Sequence, residues 1–504
     1  MLLNLILTLM MTAQSAPSAH PWQAYADPAE AGFNMARLEA ARVHADTSRT
    51  AAVMAIHQGR VVAAWGAVDR PLMAHSVRKS LAGALYGMAL HDGTLSLTDS
   101  LATLGIDDHG GLTAGEKAAT FGDLVASRSG VYLPGAYADS SQDKGRPARG
   151  SHAPGTFWFY NNWDFNTAET IYERKTGEDL YAAFDRRIAR VIGMEDFDPE
   201  GQLEVLEPGR SQYPAHTMRI SARDLARFGQ LYLQEGRWGD RQVVPAAWVR
   251  ESVKVRSVTG NKMGYGYLWW IYEPGALGAS FPVLDRMAVY LARGTGGQAV
   301  FVIPQAEMVV VHRADTDNGR SVPGPAIWQL VERLVGARDG QPGANPRLTA
   351  MSPVPLASNL PAPMPVSVVS LDAAARRRVA GQYEMAPGVI ARVFEHDGRL
   401  FVSIPGQGEA ELFATSPLTF VVKVEAGITV VFQADQDGAI TAVAVTMGRQ
   451  TMVGRRLSAW VVCPASDRGY VSFGEASNTA YRRRPGSCAS HLVGARSTTA
   501  GRGC

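Results

Sequence analysis

Cysteine is nearly missing from this 504-residue chain: Cys463, Cys488 and Cys504 all lie beyond residue 460. The rest of the chain therefore has no cysteine nucleophile, iron–sulfur cluster or thiolate zinc site. The eleven histidines show no His-Glu-x-x-His pairing or comparable metal spacing, so no metal is implied and no cofactor is expected. No Gly-x-Gly-x-x-Gly opens a helix after a strand, which argues against dinucleotide chemistry. A Gly-x-Ser-x-Gly elbow is also absent, and with it the signature of an α/β-hydrolase. Charge of one sign is not in excess: the net charge is +2, which gives no reason to expect nucleic acid or an anionic membrane as partner. Long apolar runs are lacking too. Leu2–Met11 is too short to span a bilayer, and with Ala13, Ser15 and Ala16 behind it residues 1–19 read as an export signal. A periplasmic or secreted protein without stable membrane insertion is the expectation.

What is present describes an ordinary globular composition, 46% hydrophobic and 19% charged. Residues 34–46 predict a helix, and 52–66 predict two strands turning at Gln58-Gly59. A buried helix follows Ser76, with Leu81, Ala84, Leu85 and Met88 at helical spacing. A run ending at Ser129-Gly130 predicts another helix closed by the glycine. Residues 160–235 read as mostly helical, including a helix capped by Ser221 with Asp224 three residues on. Strands return at 264–270, 299–303 and 308–312, and a closing helix fits 325–337. Strands at both ends with helices between them imply one sheet assembled from distant parts of the chain and carrying a helical insertion. Residues 338–372, rich in proline, read as a semi-rigid linker. Residues 373–458 read as a small all-β domain, because alternating apolar residues are broken by turns at His396-Asp397-Gly398 and Asp435–Gly438. Residues 459–504 lose the pattern and read as a disordered tail.

Three stretches carry chemistry. Ser76 and Lys79 stand one helical turn apart. A lysine in the first turn faces the positive end of the helix dipole, and if it is desolvated as well both effects favour the neutral amine. A neutral amine beside a hydroxyl is a general base beside a nucleophile. Taken alone, the tetrad reads by default as a capping serine with a solvated lysine; its company further along the chain overturns that reading. The second stretch, Pro154–Asn166, crowds Tyr160, Asn161 and Asn162 at a loop-to-helix junction, where Tyr160 could shuttle protons to a leaving group. Its tryptophans Trp158 and Trp163, with Trp269 and Trp270, fit either an aromatic pocket or core packing. The third, Tyr290–Gln298, is a glycine-rich approach to a strand whose amides can point at an oxyanion.

In this order the three stretches resemble the serine β-lactamase and penicillin-binding superfamily, in its class C-like branch of esterases, amidases and D-aminopeptidases. The resemblance covers roughly residues 30–335, within a domain expected over 30–337. Ser76-Val77-Arg78-Lys79 matches the family's Ser-x-x-Lys and Tyr160-Asn161-Asn162 its Tyr-x-Asn. Ser129-Gly130, Ser221–Gly229, Tyr267–Trp270 and Gly294–Gln298 also look familiar. The resemblance implies a β-lactamase/transpeptidase-like α/β fold, an antiparallel sheet flanked by helices. It implies a hydrolase of a small ester, amide or peptide, with Ser76 as nucleophile and Lys79 and Tyr160 as general base and acid. Asn162 and the Thr295-Gly296-Gly297-Gln298 stretch would bind substrate and oxyanion. The third motif, Lys-Thr-Gly in β-lactamases and often His-x-Gly or Trp-x-Gly in esterase relatives, is Thr295-Gly296-Gly297 here, which removes the lysine that helps to bind the penicillin carboxylate; Arg293 is the nearby cation. The competing expectation is a β-lactamase or a penicillin-binding peptidase or sensor that is acylated by β-lactams. No feature of the chain speaks for a particular oligomeric state.

Overall fold

The computed structural model describes residues 21–138, 140–259, 263–357, 369–386, 389–396, 398–404, 408–422, 428–447, 450–457 and 480–482. The expected export signal at 1–19 lies outside the described residues, as does most of the tail.

The strands Ala52–His57, Arg60–Gly66, Val289–Gly294, Gln298–Ile303 and Met308–Arg313 alternate apolar side chains to both faces, the pattern of a sheet covered on each side. Met54, Ile56, Val300, Val302, Val309 and Val311 join one core with the helices that begin at Val77 and Ala222. Val53, Ala55, Phe301 and Val310 join another with helices Met35–Thr47 and Gly324–Gly336. Met308–Arg313 pairs along its whole length with Ala52–His57, from Met308 opposite His57 to Arg313 opposite Ala52. The sheet thus closes between the two ends of the segment and leaves the helical insertion on one face, as the strand pattern requires. It has ten strands. It is mixed rather than purely antiparallel, because Gln23–Tyr25 joins Arg60–Gly66 in parallel through Ala24 and Val61.

Helix Val77–His91 runs through the larger core with Val77, Leu81, Ala84 and Leu85 fully buried. Each of the larger of these contributes about 1.5–3 kcal/mol by burial, which fixes the helix tightly. Four expectations need correction. The stretch 264–270 is not one strand: Gly264–Tyr265 and Trp270–Tyr272 are separated by a turn through Leu268, whose φ is 66°. The helix before Gly130 ends at Val125, since a capping box at Thr120 and Asp123 starts a short turn that does not reach the glycine. The proline-rich 338–372 stretch is partly docked: Leu348–Ala350 pairs antiparallel with Gln23–Tyr25, and Leu356 is buried. Its alternation was too short to show against the prolines. Within the tail, Ala480–Arg482 pairs with Leu203–Leu206.

The C-terminal region forms a closed eight-stranded barrel from Gly381–Ala386 to Gln450–Arg456 around Tyr383, Val393, Leu412, Phe420 and Phe432. Among the described residues no helix is long and apolar enough to cross a membrane.

Candidate active site

Ser76 stands at the head of its helix but spends no side-chain bond on capping it. Its Oγ instead receives a hydrogen bond from Lys79 Nζ at 3.0 Å. The residue before it, His75, has φ 49°, a conformation that costs energy outside glycine and turns the chain sharply into the helix. His75 is held by two bonds, Nδ1 to Tyr137 Oη at 2.8 Å and Nε2 to Thr316 Oγ1 at 2.9 Å. Burial pulls its pKa down to about 4, so the ring is neutral at physiological pH.

Lys79 is almost completely buried. Besides Ser76 it donates to Tyr160 Oη at 2.8 Å and to Asn162 Oδ1 at 2.8 Å, while its ammonium lies 4.3 Å from the Phe165 ring centre. Asn161 caps the following helix, Asn162–Thr176, through a bond from Trp163 N, which leaves the Asn162 side chain free to turn inward. Asn162 Nδ2 donates to Tyr137 O at 2.5 Å, and its backbone N–H to Gln142 Oε1 at 3.0 Å. The structure therefore brings together Ser76, Lys79, Tyr160 and Asn162, drawn from two helices and the loop between them and the sheet.

Tyr160 stacks on Trp270 with ring centres 5.5 Å apart, and Tyr265 meets both edge-on. Trp158 packs on the same group. The four tryptophans singled out by sequence divide evenly: Trp158 and Trp270 belong to this half-buried aromatic wall, whereas Trp163 and Trp269 are fully buried core. Arg293 is exposed and lies over the Trp270 ring at 5.7 Å.

The glycine stretch spans the end of one strand and the turn into the next. Gly294, the last residue of its strand, lies against the chain just before Ser76; a Cβ there would come within 2.5 Å of Ala74 O and 3.2 Å of His75 Cβ. Thr295 is exposed, and Gly296 turns at φ 78° over Thr316, the partner of His75. Gly297 offers its carbonyl to His312 Nδ1 at 2.6 Å. The Gln298 side chain faces the core: its Nε2 donates to Ala314 O and its Oε1 accepts from Arg313 Nε. Gly294 was read only as part of the glycine-rich stretch, and His75, Tyr137 and Gln142 were given no role from sequence. The positive φ of His75 and Tyr137 is invisible there, and Gln142 reaches the site only through tertiary folding.

This arrangement can hold a hydroxyl beside an amine, pass a proton from that amine to a phenol, and present backbone amides nearby. A family model described as beta-lactamase matches residues 35–335. No curated protein sequence matches the chain. Solved structures are similar at low identity. An octameric penicillin-binding protein homologue from Pyrococcus abyssi is 16% identical, covering 84% of this chain and 100% of its own, with a TM-score of 0.45. A penicillin-binding protein homologue from Caulobacter crescentus is 14% identical over 61% of this chain and 99% of its own, with a TM-score of 0.46. A beta-lactamase from Mycobacterium bovis is 19% identical over 57% of this chain and 94% of its own, with a TM-score of 0.40.

Proposed function

Since the chain belongs to the beta-lactamase family, a family of serine hydrolases, we propose that it hydrolyses a carboxylic ester or amide through an acyl-enzyme on Ser76. The observation that carries this reading is the set of bonds from Lys79 Nζ to Ser76 Oγ, Tyr160 Oη and Asn162 Oδ1. Ser76 Oγ attacks the substrate carbonyl carbon while Lys79, once its ammonium has given up a proton and stands as the neutral amine, takes the hydroxyl proton. The proton passes to Tyr160 and on to the leaving group as the tetrahedral intermediate collapses to the ester. The Ser76 amide and an amide of the Gly294–Gln298 turn stabilise the oxyanion, an arrangement typically worth a hundredfold or more in rate per donor. Asn162 fixes the lysine and faces the substrate. Water, activated by the same lysine and tyrosine, then releases the acid.

The half-buried rings of Trp158, Tyr160 and Trp270, backed by buried Tyr265, favour an apolar acyl or leaving group beside the serine. The substrate is met outside the cytoplasm if residues 1–19 act as the export signal they resemble. A fluorophosphonate probe tests the assignment. It labels Ser76 in the native chain, and Ser76→Ala loses both labelling and ester hydrolysis; a mutant that is still labelled refutes the nucleophile.

A further inference from the structure

Behind the site a second polar cluster is buried. Arg78, between Ser76 and Lys79 in the same helical turn, is almost completely buried and ion-pairs with Glu169. Glu169 Oε2 in turn accepts from His216, from its backbone N–H at 3.2 Å and its ring Nδ1 at 3.2 Å. The other ring nitrogen, Nε2, lies 3.3 Å from Glu173 Oε1 and 3.6 Å from Glu204 Oε1, yet it makes no well-directed hydrogen bond to either. His216 is wholly buried and Glu204 nearly so. One donor atom from each of Glu173, Glu204 and His216 lies within 4.8 Å of the others.

We propose that Glu173, Glu204 and His216 bind a divalent transition-metal ion, with Zn²⁺ the best match, in a site separate from Ser76. Three features carry this. First, two donors each about 2.0–2.1 Å from one tetrahedral ion stand roughly 3.3–3.5 Å apart, close to the spacings from Nε2 to the two carboxylates. Second, the nitrogen aimed between those carboxylates lacks a directed partner, while the opposite nitrogen is bonded to Glu169. A carboxylate on the far ring nitrogen is the usual outer support of a metal-bound histidine: it keeps the proton on Nδ1 and the lone pair of Nε2 toward the ion. Third, the carboxylates of Glu169, Glu173 and Glu204 all lie within 3.6 Å of the one imidazole, and imidazole with carboxylate oxygen is a donor set that transition-metal ions accept. The pairing of one imidazole with two carboxylates suits zinc rather than calcium or magnesium, which take oxygen-only shells.

The backbone supports the donors. Glu173 Oε1 also accepts from Leu180 N at 2.8 Å, which fixes its carboxylate, and its partial exposure gives an ion a way in. Glu169 and Glu173 are one helical turn apart on Asn162–Thr176, while Glu204 and His216 face each other across the strands Leu203–Leu206 and Ala215–Thr217. An ion here ties that helix to the strand pair and, through Glu169 and Arg78, braces the first turn of the Ser76 helix from behind. Its role is to hold the site in place rather than to touch substrate.

The test uses the full chain, grown with zinc, desalted and analysed by mass spectrometry for metal. One zinc per chain is expected; chelation lowers Tm, added Zn²⁺ restores it, and Co²⁺ in its place gives visible d–d absorption bands. Glu173→Gln and His216→Gln, each checked for folding by circular dichroism, lose the ion, and Glu173→Gln at the rim serves alone if His216→Gln does not fold. Folded wild-type chain that takes up neither zinc nor cobalt overturns the proposal, as does a folded variant that keeps the full equivalent.

Discussion

Arg78 and Lys79 are adjacent in sequence, equally buried and on the same first turn, yet the fold treats them in opposite ways. Lys79 makes its hydrogen bonds to a hydroxyl, a phenol and an amide oxygen. Arg78 faces the carboxylate of Glu169, with Asn166 Oδ1 at 3.2 Å. Burial pushes the Glu169 carboxyl up, but Arg78 and the bonds from His216 outweigh it and hold it below the usual carboxylate range. One cation is placed where a proton can leave and return; its neighbour is locked as half of an ion pair. Helix geometry makes this possible, because successive residues point about 100° apart and so can serve a cleft and a core from one turn.

The largest effects should separate these two. Lys79→Met is expected to reduce ester hydrolysis by about three orders of magnitude or more, within or beyond the usual range for a lost general base, with little change in the urea midpoint. Arg78→Met leaves Glu169 charged and buried without its partner, and should destabilise the fold by about 3–5 kcal/mol. A lysine variant that unfolds while the arginine variant keeps its midpoint would reverse the comparison. Removing both charges, in Arg78→Met with Glu169→Gln, should recover part of the loss.

Next in size is Gly294→Ala. The added methyl meets the Ala74 carbonyl at 2.5 Å and must push the strand end from the chain leading into Ser76. Since a shift of roughly 1 Å in a reacting group can cost a hundredfold, kcat should fall about that much. An alanine variant with native kcat would remove the strand end from the site.

A smaller contrast lies in substrate choice. With exposed Thr295 where the resemblance puts the lysine of β-lactamases, short-chain p-nitrophenyl esters should be hydrolysed much faster than nitrocefin. Equal turnover of both would refute this, and Arg293→Ala would then show whether the arginine over Trp270 had taken the carboxylate.

The smallest effect is on pH dependence. His75 and His312 are both depressed to about 4, chiefly by burial. His312 donates from Nδ1 to Gly297 O and accepts at Nε2 from Thr50 Oγ1 at 3.0 Å, which requires the neutral ring. Between pH 6.5 and 4 the unfolded chain binds protons that the native state refuses, so stability is full above about 6.5 and is lost as pH falls. Each ring should account for on the order of 1–3 kcal/mol by pH 4. Urea midpoints that stay level from pH 7 to 4 would contradict this, whereas His312→Gln should flatten part of the slope.

Much of the sheet was legible before folding was considered. Val53, Ala55, Met54 and Ile56 alternate because a strand buried on both faces needs apolar residues on both, and Leu81, Ala84 and Leu85 repeat because a helix needs one buried stripe. Ser76 and Lys79 were legible as neighbours for the same reason: one turn of helix sets their separation. The split of 264–270 was not, because the turn at Leu268 depends on its amide bonding to Val125 O and its carbonyl accepting from Ser80, partners far away in sequence.

Local periodicity thus determined the long central strands and helices, and that a serine and a lysine share a face, since those depend on backbone geometry repeating every two or 3.6 residues. Tertiary structure alone decided that Tyr160, 81 residues on, meets Lys79, that Gly294 lies against Ala74 and His75, and that His216 lies between Glu173 and Glu204. Those contacts join residues that no repeat links. They exist because the two cores must exclude water from both faces of one sheet, and closing it brings distant polar groups to the few places where they can satisfy one another.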